Sequence, residues 1–571
     1  MIFKRTSGLT GFAIASALVA VAVAAPVVSL GLTAAKGSGD LWPHLLAYVL
    51  PQAVADTLLL LAGSGALVIV IGALTAWLVT AYDFPGRGLL QWALLLPLAM
   101  PTYIIAYAYL DLLHPIGPVQ SALRAMLGIT SPRGLILPDI RSMGGCILLF
   151  GFVLFPYVYL TTRAMFLMQM ASLVEVARTL GATRFSIFYS VALPLARPAI
   201  AVGASLAMMD ALNDIGAAEF LGVRTMTVSI YSTWVNRSNL PGAAQIALIM
   251  LALVIALILI ERAARRRQSY AGQAQRARRL TPERLRGWRA AGAFAACAVP
   301  VLIGFILPAA YLLVEAIARL RFAGLSPAII AQAGNSMLIS AIATLVSLGL
   351  GLALAFTARS MRGASSAFIL RIASLGYAIP GTVLALGLLG PMALIDDLAF
   401  NIGQFFGRNT GLFMSASGAA LIYAYVARFL TISTGNIENG LQRLSPSLDH
   451  AARTLGETAG GVARRIHLPL ISPALAAAAL LVFVDCMKEL PATLLLRPLN
   501  FETLATHLYG EAARGTYEDG ALAALAIVFF GLLPIILLGR YGQKSAALAA
   551  TVAIGAETEL SSASAKAAAH E

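Results

Sequence analysis

The feature that most restricts this chain is a succession of uncharged apolar stretches, each long enough for an α-helix to cross the hydrocarbon of a bilayer, which takes about 20 residues. In the first half they run from Gly11 to Leu32, Thr57 to Ala81, Gly88 to Leu110, Ser142 to Thr162 and Ser238 to Ile260. The second half repeats the rhythm with Ala290 to Leu313, a stretch ending at Thr357, Ile372 to Ile395, Asn409 to Ala427 and Gly520 to Gly539. Two further stretches begin near Pro198 and Pro473 and run into charged residues, which brings the expected number of spans to twelve. Of the 571 residues 59% are hydrophobic and 12% charged, whereas about a quarter of the residues in a soluble globular protein are charged. The expected class is therefore an all-α integral membrane protein in contact with lipid along most of its length.

The first stretch follows Lys4 and Arg5 and has Ala-Val-Ala-Ala before Pro26, the form of a cleaved signal peptide. The uncharged run continues past Pro26, and removing it would leave an odd number of spans, so a membrane helix is the preferred reading. The formal charge of +14 does not point to nucleic acid, because it is concentrated at the ends of spans. Between Glu261 and Arg289 lie ten arginines against two glutamates. By the positive-inside rule this connector is cytoplasmic, as are the N-terminus beside Lys4 and Arg5 and the C-terminus beside Arg540 and Lys544. The expected organisation is a first half over residues 1–260, a basic linker over 261–289, a second half over 290–541 and a disordered Ala/Ser-rich tail over 542–571. Cys146, Cys297 and Cys486 stand apart on apolar segments without metal-ligand spacing and read as packing residues.

The two halves are copies. Glu175 to Ile200 aligns without a gap on His450 to Leu475 at a constant offset of 275, with 11 identities in 26 positions. Ala-Arg-Thr-Leu-Gly at 177–181 recurs at 452–456, Leu-Pro-Leu at 193–195 recurs at 468–470, and Pro101-Thr102 resembles Pro380-Gly381-Thr382. Six spans per copy make the repeats parallel, related by an axis along the membrane normal.

Both matching stretches fall on the cytoplasmic side between the fourth and fifth spans, and there the sequence resembles the EAA loop of binding-protein-dependent ABC importer permeases. That pattern is Glu-Ala-Ala, three residues, Gly, nine residues and Ile-x-Leu-Pro. The first copy, over 175–198, supplies Glu175, Ala177, Arg178, Gly181, Leu193 and Pro194; the second, over 450–473, supplies His450, Ala452, Arg453, Gly456, Leu468 and Pro469. The resemblance implies that a short helix in each loop docks on one of two ABC ATPase subunits and transmits their closure to the membrane halves. His450 stands where the family has an acid, and Asp449 beside it is the available substitute. The chain has no G-x-x-x-x-G-K-[ST] phosphate loop, so it is expected to bind no cofactor itself and to leave ATP to its partner.

Beyond each loop the next span carries ionisable residues, which in a membrane are functional candidates by default. Asp210 and Asp214 lie four apart on one helix face, Asp485 and Glu489 repeat them at the same offset, and Lys488 stands among them. Two readings stay open: the carboxylates line a pathway for a hard cation, or they hold the helices in register. Lys488 to Pro498 and Asn213 to Val223 are similar to the fused permeases of ferric-iron importers. That resemblance implies iron as cargo, a periplasmic binding protein as donor and the bacterial inner membrane as location. Related thiamine permeases are also fused, and a proton-coupled transporter of six plus six helices shares the parallel duplication.

Overall fold

The computed structural model describes residues 7–131, 134–135, 137–169, 176–177, 179–266, 282–360, 364–407, 411–412 and 414–536. The N-terminal basic pair, most of the linker and the C-terminal tail lie outside them. Among the described residues nine helices are long and apolar enough to cross a membrane, and two sharply bent pairs raise the number to eleven. The expected twelve is not reached on these terms, and the differences have local causes. The run from Gly88 to Leu110 is not one helix but Arg87–Ala99 and Thr102–Leu112, turned by 91° at Met100 and Pro101. Pro101 has no N–H to give to a preceding turn and forces its neighbour out of the helical region. At Pro380 the run from Ile372 to Ile395 is likewise divided, the helix resuming as Gly381–Phe405.

The span expected over Asn409 to Ala427 is displaced toward the C-terminus and appears as Ala419–Gln442. Its first residues are held in turns by Asp396, which accepts from the Met414 N–H at 2.6 Å and from the Ser415 hydroxyl at 2.6 Å. With Arg428, Asn436 and Glu438 inside it, this 24-residue helix is too polar to be counted by apolarity alone. It is nevertheless central, packing on Pro327–Ser360 and Ser472–Met487.

Among the described residues π-helical turns occur at Leu45–Val49, Ile187–Ala192, Leu302–Ile306 and Ala463–His467. Each is followed at once by Leu-Pro. A proline ring collides with the carbonyl four residues back, and widening the preceding turn to an i→i+5 pattern relieves the collision without ending the helix. The repeated Leu-Pro thus has a mechanical meaning: it lets a long helix continue through a proline.

The halves are interleaved. Ser7–Ala35 packs against Pro327–Ser360, Ala364–Ala373 and Gly381–Phe405 of the second half. Ser16 and Thr357 share a hydrogen bond at 2.8 Å, and the Tyr423 hydroxyl donates to the Ala22 carbonyl at 2.7 Å. Reciprocally, the segment Trp288–Ala323 lies on the first half, where the Tyr109 hydroxyl donates to the Ile303 carbonyl at 2.7 Å. Both crossings need glycine. A Cβ on Gly387 would strike the Pro26 carbonyl, and one on Gly304 would strike that of Phe152. The three cysteines are buried and unpaired, as packing residues should be.

Close backbone approach of this kind is a main source of helix association in lipid, where apolar burial supplies no drive. Gly387→Leu should therefore lower the thermal midpoint of the purified protein by the equivalent of about 1–3 kcal/mol. Gly349→Ala, which meets nothing within 4 Å, should leave it unchanged or raised; equal midpoints in a fluorescence melt would refute the packing role.

Candidate functional site: a charged cavity and two loops

The described parts of the two loops follow one plan. After Val176 and Ala177 the chain turns through Gly181 at φ +79°, Thr183 caps the next helix by accepting from the Ser186 N–H, and a π turn leads into Leu193 and Pro194. In the second loop Pro446–Thr454 is helical, Gly456 turns at φ +89°, and a π turn leads into Leu468 and Pro469. Both glycines occupy the left-handed region, where a Cβ costs about 1–2 kcal/mol. Glu175 and Arg178 lie outside the described residues. Ala452, within the helix Pro446–Thr454, is buried, while His450 and Arg453 are exposed.

Leu180 and Leu455, equivalent in the repeat, project with 81% and 85% of their surface exposed. Neither stood among the expected docking residues, although both belong to the repeated Ala-Arg-Thr-Leu-Gly. A bare leucine at the tip of each loop is a ready apolar contact for a partner.

Asp449 is not the free acid that was expected to stand in for His450. Its carboxylate takes a hydrogen bond from Arg359 at 3.1 Å and another shared with His467 at 2.6 Å. Partial burial pushes its carboxyl up, but the His467 hydrogen bond and the nearby charges of His467 and Arg359 more than offset this and hold it below the usual carboxylate range. A carboxyl depressed by folding contributes stability that is present above its unfolded pKa, about 3.9, and is lost as pH falls through the folded value. The brace therefore stands throughout the neutral range. The first loop is braced differently, by an ion pair of Arg184 with Glu283 and a two-residue parallel pairing of Tyr82–Asp83 with Glu283–Arg284.

All five ionisable residues singled out inside the membrane line one cavity between the halves, with room for about 110 Å³ of solvent. Two helix interruptions, at Met100–Pro101 and beyond Lys488, help to form its wall. Asp214 accepts hydrogen bonds from the Thr102 hydroxyl and, at 2.6 Å, from the Ala217 N–H at the head of the short helix Gly216–Phe220. Glu489 repeats the arrangement, accepting from the Ala492 N–H at 2.9 Å at the head of Pro491–Leu496. These two acids have a structural task as acceptors for free helix N–H groups. Asp210 and Asp485 are placed otherwise. Asp210 faces the cavity with the Tyr157 hydroxyl 3.4 Å away, and Asp485 pairs with Lys488 at 2.8 Å.

Arg428 was missed because it lies just past Asn409 to Ala427, the stretch expected to span the membrane. It pairs with Glu489 at 2.8 Å, with 11% and 4% of the two side chains exposed. Gly381 makes room for the pair, since a Cβ there would fall 2.5 Å from the guanidinium and 2.7 Å from the carboxylate. Tyr157, Tyr377 and Asn213 also line the cavity. Asn213 accepts from the Gly381 N–H at 2.6 Å, tying one half to the other. Four acids against Arg428 and Lys488 leave a formal excess of two negative charges. Among the described residues no three His, Cys, Asp or Glu side chains come close enough to hold a metal ion. The cavity thus carries a negative formal balance.

A twofold-repeated helical bundle with a charged cavity between its halves and matched loops at one side is the architecture of a transport permease. Residues 68–270 and 346–544 each match the family described as binding-protein-dependent transport system inner membrane component, and the chain belongs to that family. It is an integral inner-membrane protein with two permease domains in one polypeptide, of a family that works with an ATPase and a binding protein. It is 24% identical over 496 residues to an Fe(3+)-transport system permease protein, FbpB 2, of Haemophilus influenzae, covering 86% of this chain and 90% of the relative. A probable ABC transporter permease, y4fN, of Sinorhizobium fredii is 25% identical over 536 residues, or 86% and 89% of the two chains. The molybdenum transport permease ModB of Escherichia coli is 31% identical over 209 residues, 35% of this chain and 88% of ModB.

Removing one member of a buried ion pair strands the other, at a cost of roughly 3–5 kcal/mol. Arg428→Met should therefore destabilise the purified protein by that order. The double change Arg428→Met with Glu489→Gln should recover most of the loss, and a double variant no more stable than the single one would show that the pair is not what holds this wall.

Proposed function

We propose that this chain is the membrane-spanning subunit of an ATP-driven importer that passes ferric iron from a periplasmic binding protein to the cytoplasm. The observation that carries the reading is the negative excess in the cavity, together with the absence of any cation within ion-pair distance of Asp210 and Asp214 among the described residues. A passage of that sign raises the local concentration of cations and lowers that of anions. It therefore favours the cargo of the iron permease over the sulfate for which a permease of Salmonella typhimurium is named. Asp210, Asp485 and Lys488 act on the passing ion, while Asp214 and Glu489 chiefly hold the wall.

Two copies of an ABC ATPase dock from the cytoplasm, one on Glu175, Ala177, Arg178, Leu180 and Gly181 and the other on His450, Ala452, Arg453, Leu455 and Gly456. Leu193-Pro194 and Leu468-Pro469 carry the motion into the membrane. Both termini and the 261–289 linker face the cytoplasm, the six-span halves are 1–260 and 290–541, and ATP is consumed by the partner while this chain binds no cofactor.

The test is uptake of radiolabelled ferric iron into proteoliposomes holding the permease, its ATPase and the binding protein. ATP-dependent uptake is expected, falling about tenfold or more in Asp210→Asn with Asp485→Asn while the complex still assembles. Uptake of thiamine in place of iron would overturn the substrate, and uptake without ATP would overturn the class.

Changing Gly181 or Gly456 to Val should each lower transport per ATP hydrolysed, through about 1–2 kcal/mol of backbone strain. The two effects should differ in size, because one loop is braced by Glu283 and the other by Arg359 and His467. Normal coupling in both variants would count against docking at these turns.

A further inference from the structure

Away from the central cavity, a groove of about 800 Å³ opens where the linker enters the membrane region, between the end of the helix Leu50–Ala81 and the start of Trp288–Val301. Its two ends differ in chemistry. At the linker end stand Arg284 and Arg286, two apart on an extended segment and so on one side of it. Both are exposed, and neither guanidinium is taken up by a carboxylate among the described residues. Asp83 also borders the groove and has Arg87 3.8 Å away to offset its charge. Toward the membrane the walls become Phe84, Leu285, Ala291 and Phe294. From Gly287 to Phe294 the wall climbs seven residues, about 10 Å of helix rise. Trp288 is 80% exposed with the Arg289 guanidinium over its ring at 5.5 Å, the placement of a residue at the level of lipid headgroups.

We propose that this groove is a binding site for one anionic phospholipid of the leaflet on the linker side. Arg284 and Arg286 hold the phosphate, and an acyl chain lies along Phe84, Ala291 and Phe294. Charge complementarity selects the occupant: a cationic rim over an apolar wall at headgroup depth fits a lipid that carries net negative charge and a hydrocarbon chain together. A free phosphate would leave the apolar wall bare, and a zwitterionic lipid would gain little from two arginines.

The site also has a consequence for the first loop. Arg284 belongs to the short pairing with Tyr82–Asp83, and its neighbour Glu283 is the residue that braces Arg184 behind Gly181. A lipid seated on Arg284 and Arg286 therefore fixes the linker segment on which that loop leans.

The test uses the full permease with its ATPase in vesicles containing a trace of phosphatidylglycerol with a photoreactive acyl chain. Light-dependent labelling is expected at Phe84 or between Arg284 and Phe294, and labelling by the matching phosphatidylcholine should be weak. Arg284→Gln with Arg286→Gln should weaken phosphatidylglycerol binding about thirtyfold, since each arginine near an anionic surface contributes about fivefold. Arg284→Lys with Arg286→Lys should retain most of it, and Ala291→Trp, which fills the groove without changing charge, should abolish labelling while the melting temperature stays near that of the parent. Equal labelling by both lipids, labelling elsewhere on the chain, or displacement by millimolar inorganic phosphate would each overturn the proposal. None of these readouts depends on iron transport, so failure here and failure of the cargo reading are separable.

Discussion

Everything distinctive in this bundle follows from the demand that backbone N–H and C=O groups inside a bilayer find partners within the protein. A straight helix meets it automatically; a broken one does not. The interruptions before Thr102, Gly216, Gly381 and Pro491 border the space between the halves, where side chains supply what the backbone has lost. Asn213 takes the Gly381 N–H, Asp214 that of Ala217 and Glu489 that of Ala492. Polar residues are thus concentrated at the pseudo-symmetry axis, and a charged cavity follows from building a membrane protein out of bent helices.

Once the polar groups are gathered there, small sequence differences between the copies decide its character. Pro101-Thr102 in one half corresponds to Pro380-Gly381 in the other. Thr102 gives its hydroxyl to Asp214, whereas Gly381 leaves space that Arg428 fills as it reaches Glu489. One acid is therefore held by neutral donors, while its counterpart is paired with a cation. The same asymmetry separates Asp210, facing a tyrosine hydroxyl, from Asp485, paired with Lys488.

Much of this was legible from residue patterns. Apolar runs located most spans, the offset of 275 disclosed the duplication, and the two loops with their glycines and Leu-Pro pairs carried the class. The intramembrane acids were found by their cost in hydrocarbon, and the structure brings all five charged residues into one cavity. What was not legible depends on three-dimensional partners. Nothing in the run around Arg428 shows that its guanidinium meets a carboxylate 61 residues away. Asp449 looked like a free substitute acid because Arg359 is 90 residues distant in sequence. Asn409 to Ala427 was misplaced as a span because apolar content does not register the turns that Asp396 imposes there. Pro101 and Pro380 did announce breaks, but hydropathy averages over a single residue.

The geometry between loop and cavity also explains why two such similar copies need not work alike. In the first half the segment Arg184–Asn213 is a single run of 30 residues that starts just beyond Gly181 and ends beside Asp214. Its π turn before Leu193-Pro194 lets the helix run on through that proline, and Pro198 also lies within it, so loop and Asp210 belong to one helical run, about 39 Å apart along its axis. In the second half the equivalent path is turned by 72° between Gly460–Leu470 and Ser472–Met487, at the step where Pro473 follows Ser472. A push at Gly456 must pass that corner, and the Arg359, Asp449 and His467 contacts hold the near arm fixed relative to the end of Pro327–Ser360. The first loop is thus joined to the cavity by a continuous helical run and the second by a braced corner. The half with the continuous helical run is also the half in which, among the described residues, no cation stands within ion-pair distance of Asp210 or Asp214.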